Sequence, residues 1–375
     1  MQPFTLLVKS TGSDCNLDCK YCFYKHRSPE IGQGRQRMSD EVLERLIKDY
    51  LELRLDVSSF IWQGGEPTLM GLDFYEKVVE LQDRYSAAGQ RVNNSMQTNA
   101  ILLDESWCGF LHEYGFLVGI SIDGPKELHD LYRTDHSGAG IYDKVIKAIE
   151  CCKEHNVAFN TLTLLNNKNV EYPELLFDFL AELGVDYMQF IPCVEKDPTT
   201  GEIEDFSITP QQYGEFLCRL FDCWCAYGTD KVIIRDFESF IISCADLPHT
   251  ICTYSHRCDQ HIVIEHTGDA FCCDFFVEPR WQLGNIMETP IGELARSDTK
   301  RNFAGAKQNI SNKCLVCRYL PFCRGGCLKH RAVFDDGSFD RESYFCQGYR
   351  IFFEHALPRF MQLGARLGAT LAASE

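Results

Sequence analysis

Cys15-Asn16-Leu17-Asp18-Cys19-Lys20-Tyr21-Cys22 gathers three thiols within eight residues, just after the short apolar run Phe4 to Val8. The number is informative, because a structural zinc site closes its tetrahedron with four protein ligands and a ferredoxin-type iron cube is likewise held by four cysteines. No fourth Cys or His ligand is placed to complete the set. His26 follows Cys22 by four residues, a spacing no metal rule recommends, and reads as a solvated loop histidine. A cube of four irons held by three thiolates keeps one iron open to a small chelating molecule. Three inert or metal-clipped cysteines are the plainer alternative.

Outward from this loop, the whole chain sets limits. Its 375 residues suffice for a large core and suggest two domains, or one large domain with an appendage. A formal net charge of −17 lacks the basic footprint that phosphate binding needs, so nucleic acid and anionic membrane surfaces are not expected partners. No apolar stretch reaches membrane-spanning length. Twenty cysteines would read as disulfides in a secreted protein, yet the stretch from Met1 to Lys9 has no basic leader, too short an apolar run and no cleavage site. A cytoplasmic location is therefore expected, where grouped thiols are more often metal ligands than cross-links.

From the N-terminus to about residue 230, strand patterns alternate with helical ones. Strands are expected at Thr5 to Lys9, Val57 to Trp62, Arg91 to Gln97, Phe116 to Ile122, Ala158 to Leu164 and Asp186 to Ile191. Helices are expected at Asp40 to Leu53 behind an N-cap Ser39, Leu72 to Ala87, Glu105 to Tyr114, Tyr142 to His155, Glu171 to Leu183, and Pro210 to Tyr227 behind Thr209. This βα rhythm implies a parallel sheet with right-handed crossovers, and six units fit a partial barrel better than a closed eight-unit one. Chemistry in such a fold collects on the loops after the strands. Those loops are the cysteine segment, Gln63-Gly64-Gly65-Glu66-Pro67, Thr98-Asn99, Asp123-Gly124-Pro125 and Pro192-Cys193-Val194. The double glycine before a proline would alone be a turn; the glycines let the backbone approach closely and Glu66 adds a negative charge downstream of the cysteine loop. Ser121 and Asp123 alternate with Ile120 and Ile122 on a run expected to be buried, so both need partners. Ser121 could cap the next helix, and Arg133 could form a surface ion pair.

Beyond about residue 240 the rhythm fails and cysteine density rises: Cys252-x5-Cys258-x9-Gly268-x4-Cys273, then Cys314-x2-Cys317-x5-Cys323-x3-Cys327, then Cys346. Eight thiols suffice for two clusters of four ligands each; a zinc ribbon on Cys314, Cys317, Cys323 and Cys327 is the simpler alternative. The division expected is 1–235 for the barrel and 236–375 for the extension with its C-terminal helix. That helix reads as amphipathic from Tyr349 onward, through Phe352, Phe353, Leu357, Phe360, Leu363 and Leu367. The nine other cysteines, Cys108, Cys151, Cys152, Cys193, Cys218, Cys223, Cys225, Cys244 and Cys272, are expected to behave mostly as small buried hydrophobes.

The C-x3-C-x2-C loop with Gly64-Gly65-Glu66-Pro67 resembles radical S-adenosylmethionine (SAM) enzymes, and the later cysteine spacings resemble the SPASM extension of that superfamily. The resemblance implies an α/β fold, a partial (β/α)6 TIM-like barrel followed by a cysteine-rich SPASM extension. It implies three 4Fe-4S clusters: Cys15, Cys19 and Cys22 hold the open one, Cys252, Cys258, Cys273 and Cys327 the first auxiliary cluster, and Cys314, Cys317, Cys323 and Cys346 the second. It further implies SAM held by Gly65 and Glu66 at the ammonium, Ser121 and Arg133 at the carboxylate, and Tyr21 and Val194 at the adenosine.

The finer resemblance, through Cys22-Phe23-Tyr24, Gln63 to Gly71, Gln97-Thr98-Asn99, Asp123 to Glu127, Gln189-Phe190, Cys273-Asp274-Phe275 and Leu283 to Ile286, is to anaerobic sulfatase-maturating enzymes. Members oxidise a cysteine or serine in a Cys/Ser-x-Pro-x-Arg segment of a sulfatase polypeptide to Cα-formylglycine. A deoxyadenosyl radical takes a hydrogen from Cβ, a base takes the thiol or hydroxyl proton, and an electron leaves to an auxiliary cluster. Asp274 matches the base, Tyr24 and Gln63 would face the peptide, and a flavodoxin- or ferredoxin-type donor would supply electrons. A SPASM peptide maturase that forms cross-links would use the same clusters, and a plain electron carrier or a zinc scaffold are the non-maturase alternatives.

Overall fold

Ser39 and Thr209 begin two helices for the reason expected of hydroxyl caps. Ser39 Oγ accepts from Val42 N at 3.3 Å, and Thr209 and Gln212 form a reciprocal capping box. Helix Asp40–Leu51 then buries Val42, Leu43, Leu46, Ile47 and Tyr50, one face at the 3.6-residue period. The computed structural model describes residues 3–24, 35–333 and 339–372; His26 lies outside them.

Ten strands follow in chain order: β1 (Thr5–Lys9), β2 (Val57–Trp62), β3 (Arg91–Thr98), β4 (Leu117–Ser121), β5 (Phe159–Leu165), β6 (Tyr187–Pro192), β7 (Ile233–Ile234), β8 (His261–Glu265), β9 (Asp269–Phe271) and β10 (Gln282–Asn285). The chain divides into two compact units that interleave along the sequence. The first comprises Met1–Ile122, His129–Phe159 and Asp259–Ala304; the second comprises Asp123–Leu128, Asn160–Cys258 and Gly305–Glu375.

In the first unit β1 to β4 pair in parallel, with Leu6 opposite Phe60, Phe60 opposite Asn94, and Met96 opposite Val118. The other edge of β1 takes β8 in parallel, Leu7 opposite Val263, and β9 and β10 extend it as antiparallel strands. A segment beyond the βα rhythm therefore adds to the sheet. In the second unit β5, β6 and β7 are parallel, with Leu162 opposite Gln189 and Met188 opposite Ile234. The expected parallel α/β architecture is present.

The last helix, Cys346–Ala372, starts three residues before its first expected position and buries Tyr349, Phe352, Phe353 and Phe360 against helices Pro210–Tyr227 and Arg235–Cys244. Leu357, Leu363 and Leu367 are only half-buried. Phe221, Phe237, Phe240, Phe352 and Phe360 stack into one aromatic core with ring centres 5.0 to 6.2 Å apart. Gly214 and Gly348 allow the helix backbones to approach, since a Cβ on either would collide with the other's chain.

Candidate active site and cysteine-lined cavity

The three-thiol loop is tied down by its backbone. Asp18 N donates to Thr134 O at 2.8 Å and Lys20 N to Tyr132 O at 3.0 Å, which fixes the loop against residues 132–135. Asn99 Nδ2 reaches Asn16 Oδ1 at 2.8 Å. Cys15, Cys19 and Cys22 are all half-buried. The thiol of Cys15 is pushed up first by burial and then by the Glu66 charge, with Cys19 and Cys22 adding to it. Metal binding here must displace a proton.

Gly64 and Gly65 lie against that same loop. Gly65 N donates to Gly12 O at 2.7 Å and Glu66 N to Asp14 O at 2.8 Å, and a Cβ on residue 65 would overlap the Asp14 carbonyl. The close backbone approach that the double glycine permits is thus partly to the cysteine loop itself. Glu66 is buried, and its carboxylate is largely engaged. Oε1 accepts from Thr68 N (3.0 Å), Thr68 Oγ1 (2.6 Å) and Thr98 Oγ1 (2.7 Å), while Oε2 accepts from Asn99 N (2.8 Å). Burial raises its pKa and these donors oppose the rise. Glu66 therefore pins the Thr98-Asn99 turn beside the cysteines.

Tyr21 and Arg133 come together, the guanidinium 5.6 Å above the ring, because the 132–135 segment carries Arg133 to the cysteine loop. Ser121 caps no helix; its hydroxyl accepts from Gln97 Nε2 at 3.0 Å. Val194 is buried in the second unit, past the end of β6.

Asp274, Gln63 and Tyr24 converge within the first unit on a residue that pattern reading missed. Gln63 Nε2 donates to Asp274 Oδ2 at 3.1 Å. Lys9, only 1% exposed at the end of β1, sets its ammonium 3.8 Å from the same oxygen and 4.7 Å above the Tyr24 ring. Asp274 itself is 16% exposed, with the buried Lys9 ammonium on its Oδ2 side. The signal available in the sequence was a lysine closing an apolar strand. Cys273 and Asp274 are side by side, with Sγ 3.6 Å from Oδ1. Cys272 is buried with its sulfur near Thr299 O, past the end of β9.

In the second unit Cys314, Cys317, Cys323 and Cys346 line a single cavity of about 1080 Å³. The thiols of Cys323 and Cys346 are each pushed up to about 11, mainly by burial and further by the neighbouring cysteines. Arg331 is fully buried nearby and donates to the carbonyls of Gly325 (2.9 Å), Lys307 (3.0 Å), Asn309 (2.9 Å), Arg324 (3.0 Å) and Phe339 (3.3 Å). Lys307, 1% exposed, donates to the carbonyls of Cys252 and Thr253. Cys258, Cys327, Cys314 and Cys323 are close enough to act on the Arg331 charge. Four thiols on one cavity with a buried cation beside them suit an anionic thiolate-held iron cluster. Cys252, Cys258 and Cys327 are half-buried in this unit and Cys273 belongs to the first.

Fold and thiol loops together define a radical SAM protein with an iron-sulfur extension, and comparison with known proteins gives the same class. Residues 10–180 match the radical SAM superfamily and residues 252–318 an iron-sulfur cluster-binding domain. The chain is 36% identical over 366 residues to a cysteine-type anaerobic sulfatase-maturating enzyme of Clostridium perfringens, covering 97% of this chain and 99% of that one. It is 35% identical over 374 residues to a serine-type enzyme of Bacteroides thetaiotaomicron, covering 95% and 90%. The solved structure of native anSMEcpe with bound AdoMet and Cp18Cys peptide superposes with a TM-score of 0.90 at 35% identity, over 97% of this chain and 99% of that one. The chain belongs to the anaerobic sulfatase-maturating enzyme family. It is a radical SAM enzyme. Among the described residues no helix is long and apolar enough to cross a membrane.

Proposed function

We infer that this enzyme oxidises a cysteine or serine of a sulfatase polypeptide to Cα-formylglycine. The observation that carries the reading is Asp274, half enclosed, hydrogen-bonded by Gln63, faced by the Lys9 ammonium and adjacent in sequence to Cys273. SAM and three 4Fe-4S clusters would supply the hydrogen-abstracting radical and the electron acceptor. Cys15, Cys19 and Cys22 would hold the cluster to which SAM binds, with Gly65, Glu66, Ser121, Arg133, Tyr21 and Val194 around the cofactor. Cys252, Cys258, Cys273 and Cys327 would hold one auxiliary cluster, and Cys314, Cys317, Cys323 and Cys346 the other.

The protein's own part is positioning and proton transfer. Gln63 and Lys9 share Oδ2 of Asp274, and Oδ1, in contact only with Cys273 Sγ among the hydrogen bonds described, would take the proton of the substrate thiol or hydroxyl once Cys273 is a thiolate on iron. Lys9 holds the carboxylate in place from the Oδ2 side, and Tyr24 packs against both Lys9 and Phe23. The chain's acidity disfavours a nucleic-acid partner, a polypeptide carrying Cys/Ser-x-Pro-x-Arg is the expected substrate, a flavodoxin- or ferredoxin-type protein is the expected donor, and the cytoplasm is the expected compartment.

The test is anaerobic incubation of the iron-reconstituted enzyme with SAM, dithionite and a Cys-x-Pro-x-Arg peptide, read by mass spectrometry. Aldehyde in place of the thiol, lost in Asp274→Asn while deoxyadenosine still forms, is the expected result. A cross-linked peptide, or product undiminished in Asp274→Asn, would overturn the reading.

A further inference from the structure

Three cysteines expected to be inert apolar filler come together outside the site described above. Helix Glu105–Glu113 carries Cys108, and helix Tyr142–Glu154 carries Cys151 and Cys152, with His155 one turn beyond Cys151. Both helices belong to the first unit. The sulfurs of Cys108 and Cys151 and a ring nitrogen of His155 all lie within 4.8 Å of one another. Cys108 Sγ is also 3.9 Å from Cys152 Sγ, and Cys151 Sγ is 3.8 Å from His155 Nδ1. A tetrahedral ion with metal–sulfur bonds of about 2.3 Å holds its ligands roughly 3.8 Å apart, so the Cys151–His155 and Cys108–Cys152 pairs already stand at that spacing and the rest of the trio would close in from at most 4.8 Å.

We propose that Cys108, Cys151 and His155 form a mononuclear site for a thiophilic cation of the zinc class, with Cys152 as the nearest further donor. The donor set is the one zinc prefers, thiolate and imidazole. Access is asymmetric: Cys108 and Cys152 are buried between the helices, while Cys151 and His155 are half exposed and form the entry. His155 Nδ1 also lies 3.0 Å from the Cys151 carbonyl, so an ion bound through Nδ1 replaces that hydrogen bond, whereas one bound through Nε2 keeps it. The carboxylates of Asp104, Glu105 and Glu154 are near enough to act on these sulfurs, and a field of that sign favours a cation. Binding would clasp two helices of the barrel and would use none of the thiols assigned to iron.

The experiment takes the holoenzyme after anaerobic iron reconstitution, adds one equivalent of zinc(II), desalts it and measures metal content with zinc X-ray absorption. One zinc per chain, with sulfur at about 2.3 Å and nitrogen in its shell, is expected. Cys151→Ser and His155→Ala, both at the exposed edge, should weaken zinc by more than about 100-fold in chelator competition. Iron content and deoxyadenosine formation should be unchanged in both variants. Zinc held as tightly by these variants as by the parent would place the ion elsewhere, in vacant iron sites, and overturn the proposal. Absence of zinc from the parent, or a disulfide joining Cys108 to Cys152 after anaerobic handling, would do the same.

Discussion

Two buried charges of opposite sign organise the two cysteine regions. Glu66, in the first unit, is an anion that accepts from the backbone or hydroxyls of Thr68, Thr98 and Asn99. Arg331, in the second, is a cation that donates to five carbonyls. Among the described residues each is met by hydrogen-bonding dipoles, Glu66 by four donors and Arg331 by five carbonyls. The anion faces a site proposed to hold a cationic sulfonium and ammonium. The cation faces thiols proposed to become thiolates on iron. The contrast extends to enclosure: the first loop is tied back against residues 132–135 and Asn99, whereas four thiols of the second line a cavity of about 1080 Å³.

Removal of Arg331 should do the most damage. In Arg331→Met the five carbonyls lose their donor, and stability should fall by about 3–5 kcal/mol in chemical denaturation. A loss under 1 kcal/mol would mean that the cation does not organise its region. Iron chelation under anaerobic conditions should come next. Hydrogen exchange in residues 311–333 and 339–346 should accelerate roughly 100-fold, about 2.7 kcal/mol, while amides of 64–68 and 98–99 stay protected. Equal acceleration in both regions would erase the contrast.

A smaller effect is expected in the first region. Gly65→Ala forces a shift between the 64–66 turn and Asp14, costing about 1–3 kcal/mol, and deoxyadenosine formation should drop about 100-fold with auxiliary iron retained. The smallest effect concerns pH. His330 is buried against Phe345, and burial, reinforced by Lys329 and Lys307, lowers its pKa from 6.5 to about 3. A depressed histidine stabilises the fold fully above pH 6.5, and that stability is lost as pH falls towards 3, at up to about 1.4 kcal/mol per unit. Melting of the parent and His330→Gln at pH 7 and pH 5 should show a shallower acid slope in the variant.

Local pattern carried much of this fold. β1 and β2 span the residues that alternation and apolar runs indicate, and the helix beginning at Pro210 was legible from its cap and period. The pairing of β8 with β1 was not legible, because its partners lie more than two hundred residues apart and no local period records a long-range register. The site divides in the same way. Thiol spacing marks candidate ligands along the chain, but Lys9 and Arg331 look like surface cations until the fold buries them. Cys108 and Cys151 became neighbours only when two separate helices packed side by side.

The most direct test of the chemistry is incubation with a Cys-x-Pro-x-Arg peptide deuterated at the cysteine Cβ, with SAM and reductant under anaerobic conditions. The account predicts deuterium in 5′-deoxyadenosine, an aldehyde retaining one Cβ deuterium, and one deoxyadenosine per aldehyde. Deoxyadenosine without deuterium, or deuterium transfer into a cross-linked peptide, would contradict it.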